Sequence, residues 1–526
     1  MKNNDITHQL IDEELILKYE NVGELFLKKV NEHPNKKFII VHAEVKEEFT
    51  YLQFKNKVYS AISFLKNKGL EKNDRISLIF HNSSEFLVLY FAGLILGITL
   101  VPINPDMSTN EIKYIIQNSN SKIIFYTNTI KIKLNQTQKM ITDKEFIEIE
   151  KINDLKSSNV TSPEIKKNTL KDIAVIIYTS GTTGNPKGVI LSHLNLLSDA
   201  MSISKWFEFN QNTKCLCILP LFHNNGQITT LLAPLYSGGT TVIVRGKVSL
   251  LAFWFLVNEY EITWTSVMSS ILSILLSFSE ERQDNSLIGI LCGGQILTSS
   301  VQQKFEDRFN VPIFEGYGLT ETTSFSCINA YPKDKRKSGS IGKPLLTNKM
   351  SILDEEGKHL GYDEEGEICI SGYNVAVGYL GDSTLNYAFR DGWFHSGDFG
   401  RKDEEGYYYF HGRKDSLIIK GGENVYPRDI ENILYLHPIV DECAVIGIPD
   451  KFLGENICAF IKIKEKGQID EKEFKKFYRD KLADFKQPKE IIIINNLKDL
   501  DEIPKGPTKK VLYRKLKEYY KNHYIK

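Results

Sequence analysis

Short apolar runs rich in Ile and Val recur along the chain and alternate with stretches of helical spacing. RISLIF (75–80), SKIIFYT (121–127), DIAVIIYT (172–179) and TTVIV (240–244) have the length of strands buried on both faces. Strands of this kind interleaved with helices predict an α/β architecture with largely parallel sheets. The longest uncharged run, FLVLYFAGLILGITLV (86–101), is punctuated by Gly93, Gly97 and the following Pro102. It falls short of the ~20 residues a bilayer span needs and reads as a buried helix turning into a buried strand. From 128 to 171 the chain is rich in Lys, Asn and Ser, and loops with minor elements are expected. From 341 to 410 short strands with frequent Gly predict a small β-rich subdomain. Farther on, VDECAVIGI (440–448) and NICAFIKIK (456–464) read as strands and DEKEFKKFYRDKLA (470–483) as a helix. The pattern predicts a large N-terminal domain (1–414) and a small α+β C-terminal domain (415–526), divided near 413–416.

Composition acts mainly by exclusion. The 526 residues are 42% hydrophobic and 25% charged, the mix of a soluble globular protein. Lys+Arg and Asp+Glu are both 66, so the electrostatic footprint of a nucleic-acid binder is missing. The seven cysteines are sparse, and the only close pair, Cys215 and Cys217, is separated by one residue with no His-rich cluster around it. That argues against a disulfide framework or zinc site and for a reducing, cytoplasmic setting. Met1–Leu15 is polar and acidic, without the layout of a signal peptide. No membrane span and no nucleic-acid partner are expected.

One segment carries chemistry on its face. Tyr178-Thr179-Ser180-Gly181-Thr182-Thr183-Gly184-Asn185-Pro186-Lys187-Gly188 follows an apolar strand and precedes VILSHLNLLSDAM, read as a helix with Ser192 as its cap. Glycines let backbone N–H groups approach anionic oxygens, hydroxyls donate further bonds, and Lys187 adds charge: the requirements of a polyphosphate. It is not a Walker A loop, because Gly181 and Gly184 are too close and Gly188 stands where Ser or Thr should follow the lysine. Alone, such a string is equally an exposed Gly/Thr loop.

The string resembles the signature of the adenylate-forming ligase superfamily of acyl-CoA synthetases, adenylation domains and luciferases. Further motifs of that family follow in order over most of the chain. They are Phe49-Thr50-Tyr51, Pro102-Ile103-Asn104-Pro105, Pro220-Leu221-Phe222-His223, Gly293-Gly294, Gly316-Tyr317-Gly318-Leu319-Thr320-Glu321, Gly366-Glu367-Ile368, Asp391 to Asp398, Gly412-Arg413-Lys414-Asp415 and a basic motif at Pro504–Lys510. The resemblance implies an AMP-forming ligase using ATP and Mg²⁺ to activate a carboxylic acid and CoA as the acceptor thiol. It also implies a mobile C-terminal domain.

By the same resemblance, Thr179, Ser180, Gly181, Thr182, Thr183, Gly184 and Lys187 hold phosphates. Gly294, Gln295, Gly316, Tyr317, Gly318 and Phe410 border the adenine, and Asp398 and Arg413 hold the ribose. Thr320 bonds the α-phosphate, and Glu321 is the Mg²⁺ carboxylate, an oxygen donor suited to a hard cation. Ser396 stands where the family usually has Thr. Lys510 is the lysine reaching the acyl carboxylate and α-phosphate, and Lys509 replaces the glycine that normally precedes it. Asp415 is the hinge, and Gly421-Gly422 border the pantetheine tunnel, though a tight turn explains them as well.

His223 resembles the gate of the acyl site. Enzymes of the superfamily selecting α-amino acids place an aspartate there, and a histidine cannot supply that fixed charge, so amino acids are disfavoured. Asn224, Asn225, Gln227 and Gln295 are polar where acyl pockets often carry small or apolar residues. A small-to-medium acid is expected over a very long one, with Gln295 narrowing the pocket. Transfer to a separate acyl or peptidyl carrier protein, a luciferase-like oxygenase and a non-catalytic nucleotide-binding homologue are the alternatives.

Overall fold

A computed structural model describes residues 17–155, 167–179, 185–246, 250–277, 286–295, 297–381, 384–464, 470–497, 499–505 and 511–524. Its N-terminal part is built on two sheets. The seven-stranded sheet runs in the order Gly378–Tyr379, Lys187–Ser192, Ile173–Thr179, Thr99–Ile103, Arg75–Ile79, Ile123–Tyr126 and Glu145–Glu148. Its first two pairings are antiparallel and the rest parallel. A nine-stranded sheet carries a parallel centre from Ile313–Tyr317 to Lys37–His42 with antiparallel strands at both edges.

Alternation of side chains assigns the layers. In the smaller sheet Ile76, Leu78, Leu100, Phe125, Val175 and Ile177 enter one core, while Ile79, Val101, Ile103, Ile124 and Ile176 enter another. In the larger sheet Cys215, Cys217, Ile243 and Leu291 enter the same first core, while Leu216, Val242, Ile290 and Cys292 face outward onto a third. The first core also holds Val22–Glu32, Tyr51–Asn67, Ser84–Leu96 and His193–Trp206, so these helices are packed between the sheets. Thr109–Ser119 covers one outer face and Ser299–Phe309 the other, which makes five layers.

The expected helix-to-strand run is Ser84–Leu96, buried on every side, closed by Gly97 and followed by Thr99–Ile103. The stretch 128–171 carries minor elements, as expected. It contains the helix Lys131–Met140 and the edge strand Glu145–Glu148, whose mostly polar sequences give little periodic signal. The expected β-rich subdomain is a five-stranded antiparallel sheet including Asn348–Leu353, Gly366–Gly372, Trp393–Lys402 and Tyr408–Arg413.

Beyond it, Val440–Asp450 and Gly454–Ile463 form the long hairpin of a second five-stranded sheet, in which Gly454–Ile463 is central and Val440–Asp450 lies at the edge. The helices Pro427–Tyr435 and Glu471–Arg479 cover one face through Ile430, Leu434, Phe474 and Tyr478. Tyr513–Tyr524 covers the other through Leu516 and Tyr520. All seven cysteines are free and buried, and no helix among the described residues is long and apolar enough to cross a membrane.

Candidate active site

The glycine- and hydroxyl-rich loop joins two strands, not a strand and a helix. Ile173–Thr179 and Lys187–Ser192 pair antiparallel with Thr179 opposite Lys187 and Tyr178 opposite Gly188. Ser180, Gly181, Thr182, Thr183 and Gly184 lie outside the described residues. The helix begins one strand later, at His193, where Ser192 and Asn195 form a reciprocal capping box as expected of Ser192. On its far side Lys187–Ser192 pairs with Gly378–Tyr379. That pairing brings Tyr379 beneath the loop's lysine: Lys187 Nζ lies 6.0 Å from the ring centroid. The Tyr379 hydroxyl donates to Glu321 Oε1 at 2.7 Å. Residues of three separate segments thus meet. Glu321 Oε2 has no partner among the described residues, so its carboxylate fits a hard cation.

Glu321 belongs to a short turn, Thr320–Thr322, that follows the strand Ile313–Tyr317. Gly318 at its start has no room for a side chain: a Cβ there would lie 1.6 Å from the Ser324 carbonyl oxygen. Tyr317 itself is part of a polar chain that runs through the buried Asp398 to the exposed Arg413. Its hydroxyl donates to Asp398 Oδ2 at 2.7 Å, and Arg413 Nε lies 3.0 Å from Asp398 Oδ1. Asp398 and Arg413 face each other across the antiparallel pair Trp393–Lys402 and Tyr408–Arg413, which sets their spacing. Ser396 Oγ accepts from the Asp398 N–H at 3.0 Å and donates to the Ile368 carbonyl at 2.6 Å. Serine therefore serves where the family usually has threonine. Burial, with the Asp398 charge beside it, pushes the Tyr317 phenol well above its usual range.

Phe410 stacks on Tyr317, centroids 6.1 Å apart and planes 27° from parallel. Gly316 lies on the same strand as Tyr317, and Gly294 follows the parallel neighbour Gly289–Cys292. Gln295 Oε1 accepts from the Ser270 N–H at 3.2 Å, at the start of the helix Ser269–Ser277. The expected narrowing of the acyl pocket by Gln295 therefore has a structural role beside it: the amide caps a helix.

His223 stands at the N-terminus of a continuous helical stretch made of Asn224–Gln227, a π turn Ile228–Leu232 and Ala233–Tyr236. Short π segments inside helices are common at functional sites. Asn224 Nδ2 donates to the carbonyls of Thr320, at 3.4 Å, and Thr323, tying this segment to the Glu321 turn. Gln227 Nε2 donates to the Leu221 carbonyl at 2.8 Å.

Lys510 and Lys509 lie outside the described residues. The backbone of Asp415 is in a tight turn, Lys414–Ser416, immediately after the strand that carries Arg413. Gly421 and Gly422 form the two-residue turn between Ile418–Lys420 and Glu423–Val425, with φ of 63° and 89°. Two successive positive φ values are what such a hairpin turn demands, and glycine adopts them without steric cost.

Three residues escaped the sequence reading. Tyr379 is one of two tyrosines in a Gly-rich stretch, placed by a two-residue strand. Glu315 and Arg428 are buried and meet between segments far apart in sequence, with Arg428 Nη2 3.7 Å from Glu315 Oε1. A carboxylate two residues before Tyr317 and an arginine beside Pro427 were the available signals. Burial raises the Glu315 carboxyl to about 7 against the pull of Arg428 and lowers the Arg428 guanidinium, so desolvation outweighs the attraction on both sides.

The AMP-binding enzyme family model matches residues 26–380, and that of the AMP-binding enzyme C-terminal domain matches 429–502. Oxalate–CoA ligase of Arabidopsis thaliana is 31% identical over 453 residues, 83% of this chain and 88% of that protein. A long-chain-fatty-acid–CoA ligase of Bacillus subtilis is 30% identical over 99% of this chain and 98% of its own. The crystal structure of ATP-bound MatB from Rhodopseudomonas palustris superposes with a TM-score of 0.87 and 26% identity, covering 96% of this chain and 100% of that one. With its ordered motifs on this scaffold, the chain belongs to the AMP-binding enzyme family and so to the adenylate-forming ligase superfamily.

Proposed function

We propose that this protein activates a carboxylic acid with ATP and passes the acyl group to CoA. The carboxylate oxygen attacks the α-phosphorus, the bond to the bridging oxygen of pyrophosphate breaks, and acyl-AMP forms. The CoA sulfur then attacks the acyl carbon, its proton goes to solvent, and AMP leaves. The observation that carries this reading is the meeting of Lys187 and Glu321 on Tyr379. It supports placing a cation and a free carboxylate oxygen side by side, as a polyphosphate and its counter-ion require.

In this reading the loop 179–184 and Lys187 hold the phosphates and Thr320 the α-phosphate. Glu321 binds Mg²⁺, which when present neutralises phosphate charge. Asp398 and Arg413 take the ribose hydroxyls, while Tyr317 and Phe410 wall the adenine beside Gly294, Gln295, Gly316 and Gly318. His223 opens the acyl segment, and Lys510 steadies the attacking carboxylate. Residues 415–526 move as a unit about Asp415 and present Gly421-Gly422 to the pantetheine arm. The free, buried cysteines suit a cytoplasmic location.

Relatedness does not choose the acid, because relatives named for oxalate and for long-chain fatty acids are equally similar. The polar segment Asn224–Gln227 supports a compact acid. Carboxylate-dependent ATP–pyrophosphate exchange over a panel from dicarboxylates to palmitate tests both points. Exchange with no acid removes the adenylation reading, and best turnover on palmitate removes the compact-acid reading. Thioester assays with free CoA against a phosphopantetheinylated carrier then decide the acceptor.

A further inference from the structure

Arg428 is the second residue of the helix Pro427–Tyr435, in the C-terminal part of the chain, and its side chain is only 7% exposed. Its Nη1 donates to the Phe410 carbonyl at 2.9 Å, and its guanidinium lies 4.9 Å from the centroid of the Phe410 ring. On its other side is Glu315, two residues before Tyr317 on the same strand. One side chain thus touches both the strand that presents Tyr317 and the ring that stacks on Tyr317. One turn along the helix, Glu431 is buried too, accepting from the Val445 N–H at 2.9 Å and from the Tyr513 hydroxyl at 3.1 Å. Arg428 therefore sits between a carboxyl of the N-terminal part and one of the C-terminal part.

Such a placement is costly without a use. A guanidinium withdrawn from water stabilises a protein little compared with an apolar residue of the same shape. Here it performs two tasks that an apolar side chain cannot combine: it bonds a main-chain carbonyl while lying over the ring of the same residue. Both contacts bear on Phe410.

We propose that Arg428 is a positioning residue for the nucleotide, fastening the C-terminal helix to the Tyr317–Phe410 wall so that this wall is ordered only when the C-terminal part is docked. The inference rests on the reading of Tyr317 and Phe410 as the adenine wall. Its consequence is reciprocal: if docking tightens nucleotide binding, the nucleotide tightens docking by the same factor. Lysine at 428 can supply the charge and one hydrogen bond but not the flat surface over the ring, so it should restore the function only partly.

The test measures ATP binding directly, in the presence of magnesium and without any acid, by titration calorimetry on the full chain. Wild type, Arg428→Lys, Arg428→Met and Arg428→Met/Glu315→Gln are compared, each with its thermal midpoint. The expected result is an ATP dissociation constant raised about tenfold in Arg428→Met and severalfold in Arg428→Lys. In the double variant the midpoint should recover, because no buried carboxylate is left alone, while ATP binding stays weak. ATP affinities of both single variants within twofold of wild type overturn the proposal. So does affinity that returns together with the midpoint in the double variant, since the effect would then be one of stability alone. If Arg428→Met does not fold, Arg428→Lys decides by the same criterion. A wild-type chain that binds no ATP would instead remove the nucleotide reading on which the inference stands.

Discussion

The Tyr317–Asp398–Arg413 face and the His223–Gln227 segment lie on the same scaffold and are built on different plans. On the first, polar side chains from distant strands satisfy one another, from Tyr317 to Asp398 to Arg413, with Ser396 holding the Asp398 backbone. On the second, the Gln227 amide donates to the nearby Leu221 carbonyl, while Asn224 reaches across to the Thr320–Thr323 turn. Asn224 Oδ1, Asn225 Oδ1 and Gln227 Oε1 are left as buried acceptors with no partner among the described residues. A face whose groups are prearranged by long-range pairs suits a ligand that never changes, the nucleotide. Past Asn224, a segment interrupted by a π turn and carrying amide acceptors without partners among the described residues can be altered with less disturbance of that face. Asn224, bonded to the turn that carries Glu321, is the joint between them.

The largest effect that separates the two plans is expected at Lys510. Lys510→Ala should lower acid-dependent pyrophosphate exchange by about 10²- to 10³-fold, the usual loss when a group that stabilises transition-state charge is removed. Thioester formation from preformed acyl-AMP should fall less than tenfold, and equal losses in both assays would break the two-step scheme. Next comes Asp398→Asn, which keeps the shape but loses the charge-assisted bonds. At about 1.5–3 kcal/mol it should weaken ATP binding roughly ten- to a hundredfold while leaving the KM of the acid within twofold. A matching rise in the acid's KM would mean that the two regions are not separate.

Stability against pH sharpens the same contrast from beneath the nucleotide face. Burial holds the carboxyls of Glu315 and Glu431 at about 7 in the folded chain, against an ordinary value of 4.5. The folded state therefore binds these protons more tightly. The stability they contribute is complete below pH 4.5 and is lost as the pH rises through about 7. Urea unfolding at pH 5 and pH 8 should show that loss, and Glu315→Gln should flatten it. The smallest expected effect is at the joint. Asn224→Ala removes two hydrogen bonds to the Thr320–Thr323 turn and should cost about 1 kcal/mol of stability. It should raise the KM of acid and ATP together, whereas Gln227→Ala should move the acid alone.

Much of this was legible in the sequence, and each exception has its own physical cause. The Ile/Val runs gave the strands because burial on both faces leaves no other composition, and Ser192 marked a helix start because its hydroxyl and Asn195 close a local box. The hairpin after the phosphate loop was hidden because VILS continues into the apolar helix His193–Trp206 without a break. The helix Lys131–Met140 was hidden because its sequence is polar nearly throughout. Tyr379 and the Glu315–Arg428 pair are joined by tertiary contacts alone, and a contact between segments far apart leaves no local pattern to find.

The helices shared by the two large sheets carry a mechanical consequence. Because Val22–Glu32, Tyr51–Asn67, Ser84–Leu96 and His193–Trp206 contribute to a core that both sheets also line, peeling away either sheet strips the other of its support. The two large sheets should then melt in one cooperative transition, with amide exchange slow in both. The smaller sheet beyond Asp415, which has its own separate cores, is free to come apart earlier, leaving the two large sheets in place and releasing only the wall that Arg428 fastens.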